Sequence, residues 1–221
     1  MAGEENTEVF IMKELHIPGG LLLGVTGGIG CGKSEVGRVL RVAGVSVRDT
    51  DDVAREVMAP GGPAYADVVA RFGEAILRPD GFVDRVKLGQ FVFTDTEACT
   101  ALNRIVHPHV RREWKGWARK EREQERVAAV IIPLLFEVGA DKEVDAVICV
   151  TAPEQMVVER LASRGWTPQQ VRQRMAAQLP LSEKEKKADY VIENSSTMDA
   201  LEKETQAVVQ TILKKEKEKH G

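Results

Sequence analysis

Residues Gly27-Gly28-Ile29-Gly30-Cys31-Gly32-Lys33-Ser34 combine glycines, a lysine and a hydroxyl in one short stretch. They satisfy GxxxxGK[ST] at each fixed position. A loop that wraps a phosphate must turn successive backbone N–H groups inward, which uses φ values open mainly to glycine. A helix beginning at the lysine adds unpaired N–H donors and a partial positive charge. In that arrangement Lys33 reaches the β- and γ-phosphates of a bound triphosphate and the Ser34 hydroxyl ligates Mg²⁺. Gly27, Gly28, Ile29, Gly30, Cys31, Gly32 and Glu35 complete the phosphate contacts, Cys31 through its backbone and not its thiol. Glu35 stands where many such loops carry a second hydroxyl residue. Its carboxylate is expected to turn to solvent and its backbone N–H to serve the phosphate. The spacing Gly28-x-Gly30-x-Gly32 fails GxGxxG, which disfavours a dinucleotide fold.

A phosphate loop implies a bound triphosphate, not the reaction. GTPases read guanine with N/T-K-x-D after a strand, and none follows an apolar run here; Ala140-Asp141-Lys142-Glu143 is the nearest fragment and is misplaced. ATPases that hold Mg²⁺ and water with a strand-terminal Asp-Glu differ too, because the comparable run ends in Ile132-Pro133. The run "VSVRDTDDVAREV" offers acids instead: Asp49, Asp51 and Asp52, followed by Arg55. In a parallel α/β sheet the carboxyl ends of the strands face the ligand crevice. There one acid can orient Mg²⁺ or water while another accepts a proton from an attacking hydroxyl. Asp51 or Asp52 could instead cap the helix that runs to Met58, and for Asp52 the two readings stand level.

These residues need elements to position them. Five short apolar runs, at 21–26, 45–49, 127–133, 145–150 and 189–194, alternate with helical patterns. Runs that are apolar throughout suggest strands covered on both faces, and the alternation suggests βα units around a five-stranded parallel sheet. The fold class is therefore α/β, a three-layer α/β/α nucleotide-binding core. A helix is expected from Lys33 to about Val42. The stretch between the second and third runs exceeds a single crossover and reads as a helical insertion, with Pro63 at an early helical position. "HPHVRREWKGWARKEREQER" reads as a long amphipathic helix with a solvated face. A second helical insertion separates the fourth and fifth runs. Pro153 sits near one helix start and Thr167-Pro168 forms another, and Arg160, Arg164, Arg172 and Arg174 lie within it.

The chain has 221 residues, 43% hydrophobic and 29% charged, with a net charge of −3. That suits an α/β domain with insertions and argues against nucleic acid as a partner. Cys31, Cys99 and Cys149 lie far apart and are odd in number. A disulfide framework is not expected, and a reducing, cytoplasmic setting is. No apolar run approaches the ~20 residues of a membrane helix. The opening "MAGEENTEVFIMKELHIPGG" lacks a basic stretch before a long apolar core and reads as an extension, not a secretory signal. No obligate protein partner is indicated.

The blocks "GVTGGIGCGKSEV", "VRDTDDVAREV", "GGPAYADVVARFGEAIL", "RIVHPHV", "IIPLLFEVG" and "ADYVIEN" follow one another from about residue 21 to 200. Together they resemble the dephospho-CoA kinase family. The resemblance implies ATP-dependent phosphorylation of the ribose 3′-hydroxyl of dephospho-CoA, with Mg²⁺, as the last step of coenzyme A synthesis. It implies a nucleotide-binding core at 21–58, 127–152 and 188–213, a CoA-binding insertion at 59–126 and a lid at 153–187, between an extension at 1–20 and a charged tail at 214–221. It implies Asp51 as the base, with Asp49 and Arg55 contacting substrate in the same block. Arg160 and Arg164 match lid arginines that close on the phosphates, and a solvated helix face is the other reading. His107, before Pro108, matches a His-Pro at a helix start in the acceptor region, and capping or packing is its other reading. The chain departs from the family pattern at Ile132, where many members have aspartate, at Thr50 in place of alanine, and at Glu35 in place of threonine. Another nucleotide or small-molecule kinase on the same core is the alternative function.

Overall fold

A computed structural model describes residues 17–220. All five apolar runs form strands: β1 (Leu21–Gly27), β2 (Ser46–Asp49), β3 (Val127–Ile131), β4 (Ala146–Thr151) and β5 (Tyr190–Glu193). Their order in one sheet is β2-β3-β1-β4-β5. β1 pairs in parallel with β3, from Leu21↔Val127 to Val25↔Ile131, and with β4, from Leu23↔Ala146 to Gly27↔Val150. β5 pairs in parallel with β4. The order explains the composition. β1, β3 and β4 are buried along their whole lengths and read as unbroken apolar runs, whereas β5 at the edge buries only Ile192.

Helix α1 (Lys33–Val42) follows β1 directly, and its residues Val36, Val39 and Leu40 enter the core with Leu23, Val25, Ile131 and Ile148. Arg38 on its outer face bonds Glu202 at 2.8 Å, joining α1 to the C-terminal helix (Met198–His220). The chain divides into two compact units. One comprises the described residues up to Val47 with those from Lys120 on, and the other is Arg48–Arg119.

The second unit has its own core, in which Val53, Val57, Val68, Ile76, Leu88 and Val106 are buried. It begins with α2 (Thr50–Val57) and continues through α3 (Tyr65–Phe72), α4 (Arg85–Thr94) and most of α5 (Thr96–Glu123). Pro63 precedes α3 by two residues and lies in the turn before it, outside the first helical turn. Asp84 caps α4 by accepting from Val86 N–H and Lys87 N–H. Asp95 does the same ahead of α5, from Glu97 N–H at 2.8 Å and Ala98 N–H at 3.1 Å.

Between β4 and β5 lie α6 (Glu154–Ala162), α7 (Pro168–Ala176) and α8 (Leu181–Lys187). Pro153 occupies the cap of α6. Thr167 and Gln170 form a full capping box with Pro168 at the first helical position, as the Thr-Pro signal predicts. Arg174 stacks over Trp166, 4.4 Å from the ring centre.

Candidate phosphate-transfer site

The glycine loop leaves the sheet at the carboxyl end of β1 and ends at the first turn of α1. Two of its glycines are required by geometry. Gly27 has φ 141°, and a Cβ there would lie 2.1 Å from the Val150 carbonyl oxygen of β4. Gly32, the cap of α1, has φ 99°, and a Cβ there would lie 2.1 Å from Asn194 Nδ2. The loop is thus threaded between strand backbone on one side and a buried amide on the other, with no room for a side chain at either of these two positions.

Lys33 Nζ arches back over the loop and donates to Gly27 O at 3.1 Å and Gly28 O at 2.8 Å. Ser34 is exposed in the first turn of α1. Cys31 is 1% exposed, and burial pushes its thiol pKa up, so it adds no charge to the loop. Its backbone carbonyl is used, accepting from Asn194 Nδ2 at 3.0 Å. Glu35 meets expectation in its side chain, which lies at the surface, and departs from it in its backbone N–H. Its N–H closes a turn onto Gly32 O at 3.0 Å and so serves the helix start, while its half-exposed carboxylate pairs with Arg38 at 3.2 Å. The helical geometry of α1 dictates the first, and the neighbouring arginine three residues on dictates the second.

Arg160 is not on a solvated face. It projects from the last turn of α6 onto the glycine loop, donating from Nη1 to Gly30 O at 3.5 Å and from Nη2 to Asn194 Oδ1 at 3.1 Å and Asn194 O at 3.3 Å. All three acceptors are neutral oxygens, so the guanidinium brings a full positive charge to the loop. Arg164 is exposed in the turn after α6, its N–H bonded to Leu161 O.

In the second unit the capping assignment changes. Asp49 is the cap of α2, its carboxylate accepting Asp51 N–H at 2.9 Å. Neither Asp51 nor Asp52 caps: Asp49 is the last residue with extended backbone, and helical φ/ψ starts at Thr50. Burial and the neighbouring acids Asp51 and Asp52 raise the Asp49 pKa, against the bond from Asp51 N–H that lowers it. Asp52 pairs with Arg55 at 2.5 Å, which leaves Asp51 as the exposed acid of the first turn. His107 is corrected too. It lies with Pro108 inside the 28-residue α5, not at a helix start. Val106 and Val110 pack into the second core on either side of the proline, and that burial carries the helix through a residue that usually starts one.

Several residues that shape the site carry no motif signal. Asn194 closes "DYVIEN" at the carboxyl end of β5, where ligands gather in α/β sheets, and that position is the one signal that could have found it. Lys184 was hidden in the charge run "LSEKEKKA", yet it is fully buried, donating to Pro133 O at 2.8 Å and pairing with Glu137 at 2.9 Å. Thr26 Oγ1 bonds the same Pro133 carbonyl at 3.2 Å, and Glu137 also accepts Leu179 N–H at 2.9 Å. This network ties the residue before the glycine loop to the chain that leads into α8. Glu137→Ala would leave a buried ammonium without its carboxylate. Because Glu137 is 23% exposed, we expect a cost of about 2 kcal/mol, below that of a fully buried pair, read as a lower urea midpoint at unchanged slope. An unchanged midpoint would show that the pair does not hold this region.

The dephospho-CoA kinase family model matches residues 21–200. This chain belongs to the dephospho-CoA kinase family. The dephospho-CoA kinase of Geobacillus kaustophilus is 42% identical over 193 residues, covering 86% of this chain and 95% of that protein. The solved structure of a dephospho-CoA kinase from Campylobacter jejuni superposes with a TM-score of 0.66 at 26% identity, covering 87% of this chain and 97% of that one. A shikimate kinase from Acinetobacter baumannii, 16% identical with a TM-score of 0.51 over 89% of this chain and 94% of its own, shares the fold alone. Among the described residues no helix is long and apolar enough to cross a membrane.

Proposed function

We propose that this member of the dephospho-CoA kinase family phosphorylates the ribose 3′-hydroxyl of dephospho-CoA with ATP, using the glycine loop as phosphate cradle and Asp51 as base. The observation that carries the reading is the loop itself. Gly27 and Gly32 adopt backbone that side chains would forbid, and Lys33 and Arg160 bring two positive charges to it. Such a site acts by positioning and by spreading the charge of the transferring phosphoryl group. Asp51 accepts the proton of the attacking hydroxyl. Asp49 and Arg55, from the same block, and His107 contact the acceptor, while Arg164 joins Arg160 on the phosphates of ATP. The segment 153–187 is the lid, and its closure excludes water that would otherwise hydrolyse ATP.

Among the described residues no group of three His, Cys, Asp or Glu side chains is gathered to hold a metal ion, while Ser34 presents an exposed hydroxyl. This donor set fits Mg²⁺ arriving on the nucleotide, since Mg²⁺ keeps several waters and takes few protein ligands beside phosphates. With Ser34 as its protein ligand, such an ion would supply charge neutralisation at the β- and γ-phosphates.

A panel of acceptors with labelled ATP tests the reading. Transfer to dephospho-CoA is expected, at a kcat/KM at least ~10²-fold above other nucleosides and small alcohols. Transfer to a different acceptor with none to dephospho-CoA would assign the chain to another small-molecule kinase.

A further inference from the structure

We propose that Asn194 is a positioning residue that locks Arg160 and the glycine loop into one register without spending the arginine's charge. The proposal rests on the role given to Arg160 above. The backbone of Asn194 is fixed first: its N–H donates to Thr151 O at 2.8 Å, extending the β4–β5 ladder by one residue. The residue is 7% exposed and both ends of its amide are used. Nδ2 donates to Cys31 O at 3.0 Å, and Oδ1 accepts from Arg160 Nη2 at 3.1 Å, with the Asn194 carbonyl beside it at 3.3 Å.

Only an amide of this length does both. Flipped, it would set its oxygen against the Cys31 carbonyl and its NH₂ against a guanidinium, two like-with-like contacts. An aspartate would lose the Cys31 bond and pair with Arg160, consuming the positive charge and placing a carboxylate behind the phosphate cradle. The same amide accounts for Gly32, since a Cβ there would collide with Nδ2 at 2.1 Å. The glycine is thus required by the brace as well as by the turn. Among the described residues Arg160 donates to neutral oxygens, so its charge stays available while its position is held.

The test is a double-mutant cycle on the full chain, with kcat read by transfer to dephospho-CoA and ATP affinity by calorimetry. Arg160→Met is expected to lower kcat about 100-fold and Asn194→Ala about tenfold. The double variant is expected to match Arg160→Met within about twofold, because Asn194 acts through the arginine. A residue needed only for folding would not give that non-additivity at saturating ATP. Asn194→Asp, of the same size, serves if the alanine variant does not fold, and is also expected to lose about tenfold in kcat. Losses that multiply, or wild-type kcat in Asn194→Asp or Asn194→Ala beside a slow Arg160→Met, would overturn the proposal. A wild-type rate in Arg160→Met would overturn the role of the arginine itself, and the proposal with it.

Discussion

Asp51→Asn is expected to lower kcat for phosphoryl transfer at least ~100-fold while ATP still binds with wild-type affinity. The substitution keeps the size of the side chain and removes only its capacity to accept a proton. The local fold should not move. The bond that fixes the start of α2 runs from Asp51 N–H to the Asp49 carboxylate and is backbone on the Asp51 side, so asparagine preserves it. Nor does the ion pair of the first turn involve Asp51, because Arg55 is taken by Asp52. A hundredfold loss corresponds to about 2.7 kcal/mol of transition-state stabilisation. Asp49→Ala removes the cap, which should cost about 1 kcal/mol of stability, and as an acceptor contact it should also raise KM for dephospho-CoA. Single-turnover transfer and ATP calorimetry on the two variants separate chemistry from capping. Full activity in Asp51→Asn would remove it as the base and return the role to another acid of the block.

The second large effect is expected at Lys33. Lys33→Met keeps the aliphatic stem and deletes the charge, and we expect kcat to fall by ~10²–10³-fold together with weaker ATP binding. Lys33 Nζ already rests on Gly27 O and Gly28 O, at the point where the loop leaves β1. The ammonium therefore needs only a short swing about its stem to meet phosphate oxygens. Lys33→Arg should restore little, because a planar fork does not replace a compact, rotatable ammonium. Separate measurement of kcat and ATP affinity decides the matter. Loss confined to ATP affinity, with kcat unchanged, would mean that Lys33 serves binding and not the transfer step.

How far the sequence could be read depended on the range of the interaction involved. β1, β3 and β4 were legible because burial on both faces demands unbroken apolar runs, β2 and β5 by their short β-branched runs between helical patterns, and α1 to its first and last residues because the glycine cluster and the loss of periodicity bound it. Thr167-Pro168 was legible because a capping box involves only neighbours. The cap of α2 was misjudged between acids that differ in nothing but where extended backbone ends, which is a matter of one φ/ψ pair. His107-Pro108 was misread because a proline's local preference was outweighed by the second core on both sides of it. Lys184 was invisible for the same reason in reverse: nothing in a run of charges says which one is buried.

By itself, then, the sequence determined that this chain binds a triphosphate in a βα loop, that its sheet is parallel, and, through the order of its motif blocks, to which kinase family it belongs. Those features depend on neighbouring residues, whose types and spacing alone satisfy or violate backbone sterics and burial. Only the tertiary structure decided which charges face solvent and which are held: Arg160 is clasped on Gly30 and Asn194, and Lys184 is buried against Glu137. These partners lie up to 130 residues apart along the chain, and no local pattern encodes a contact made across that separation.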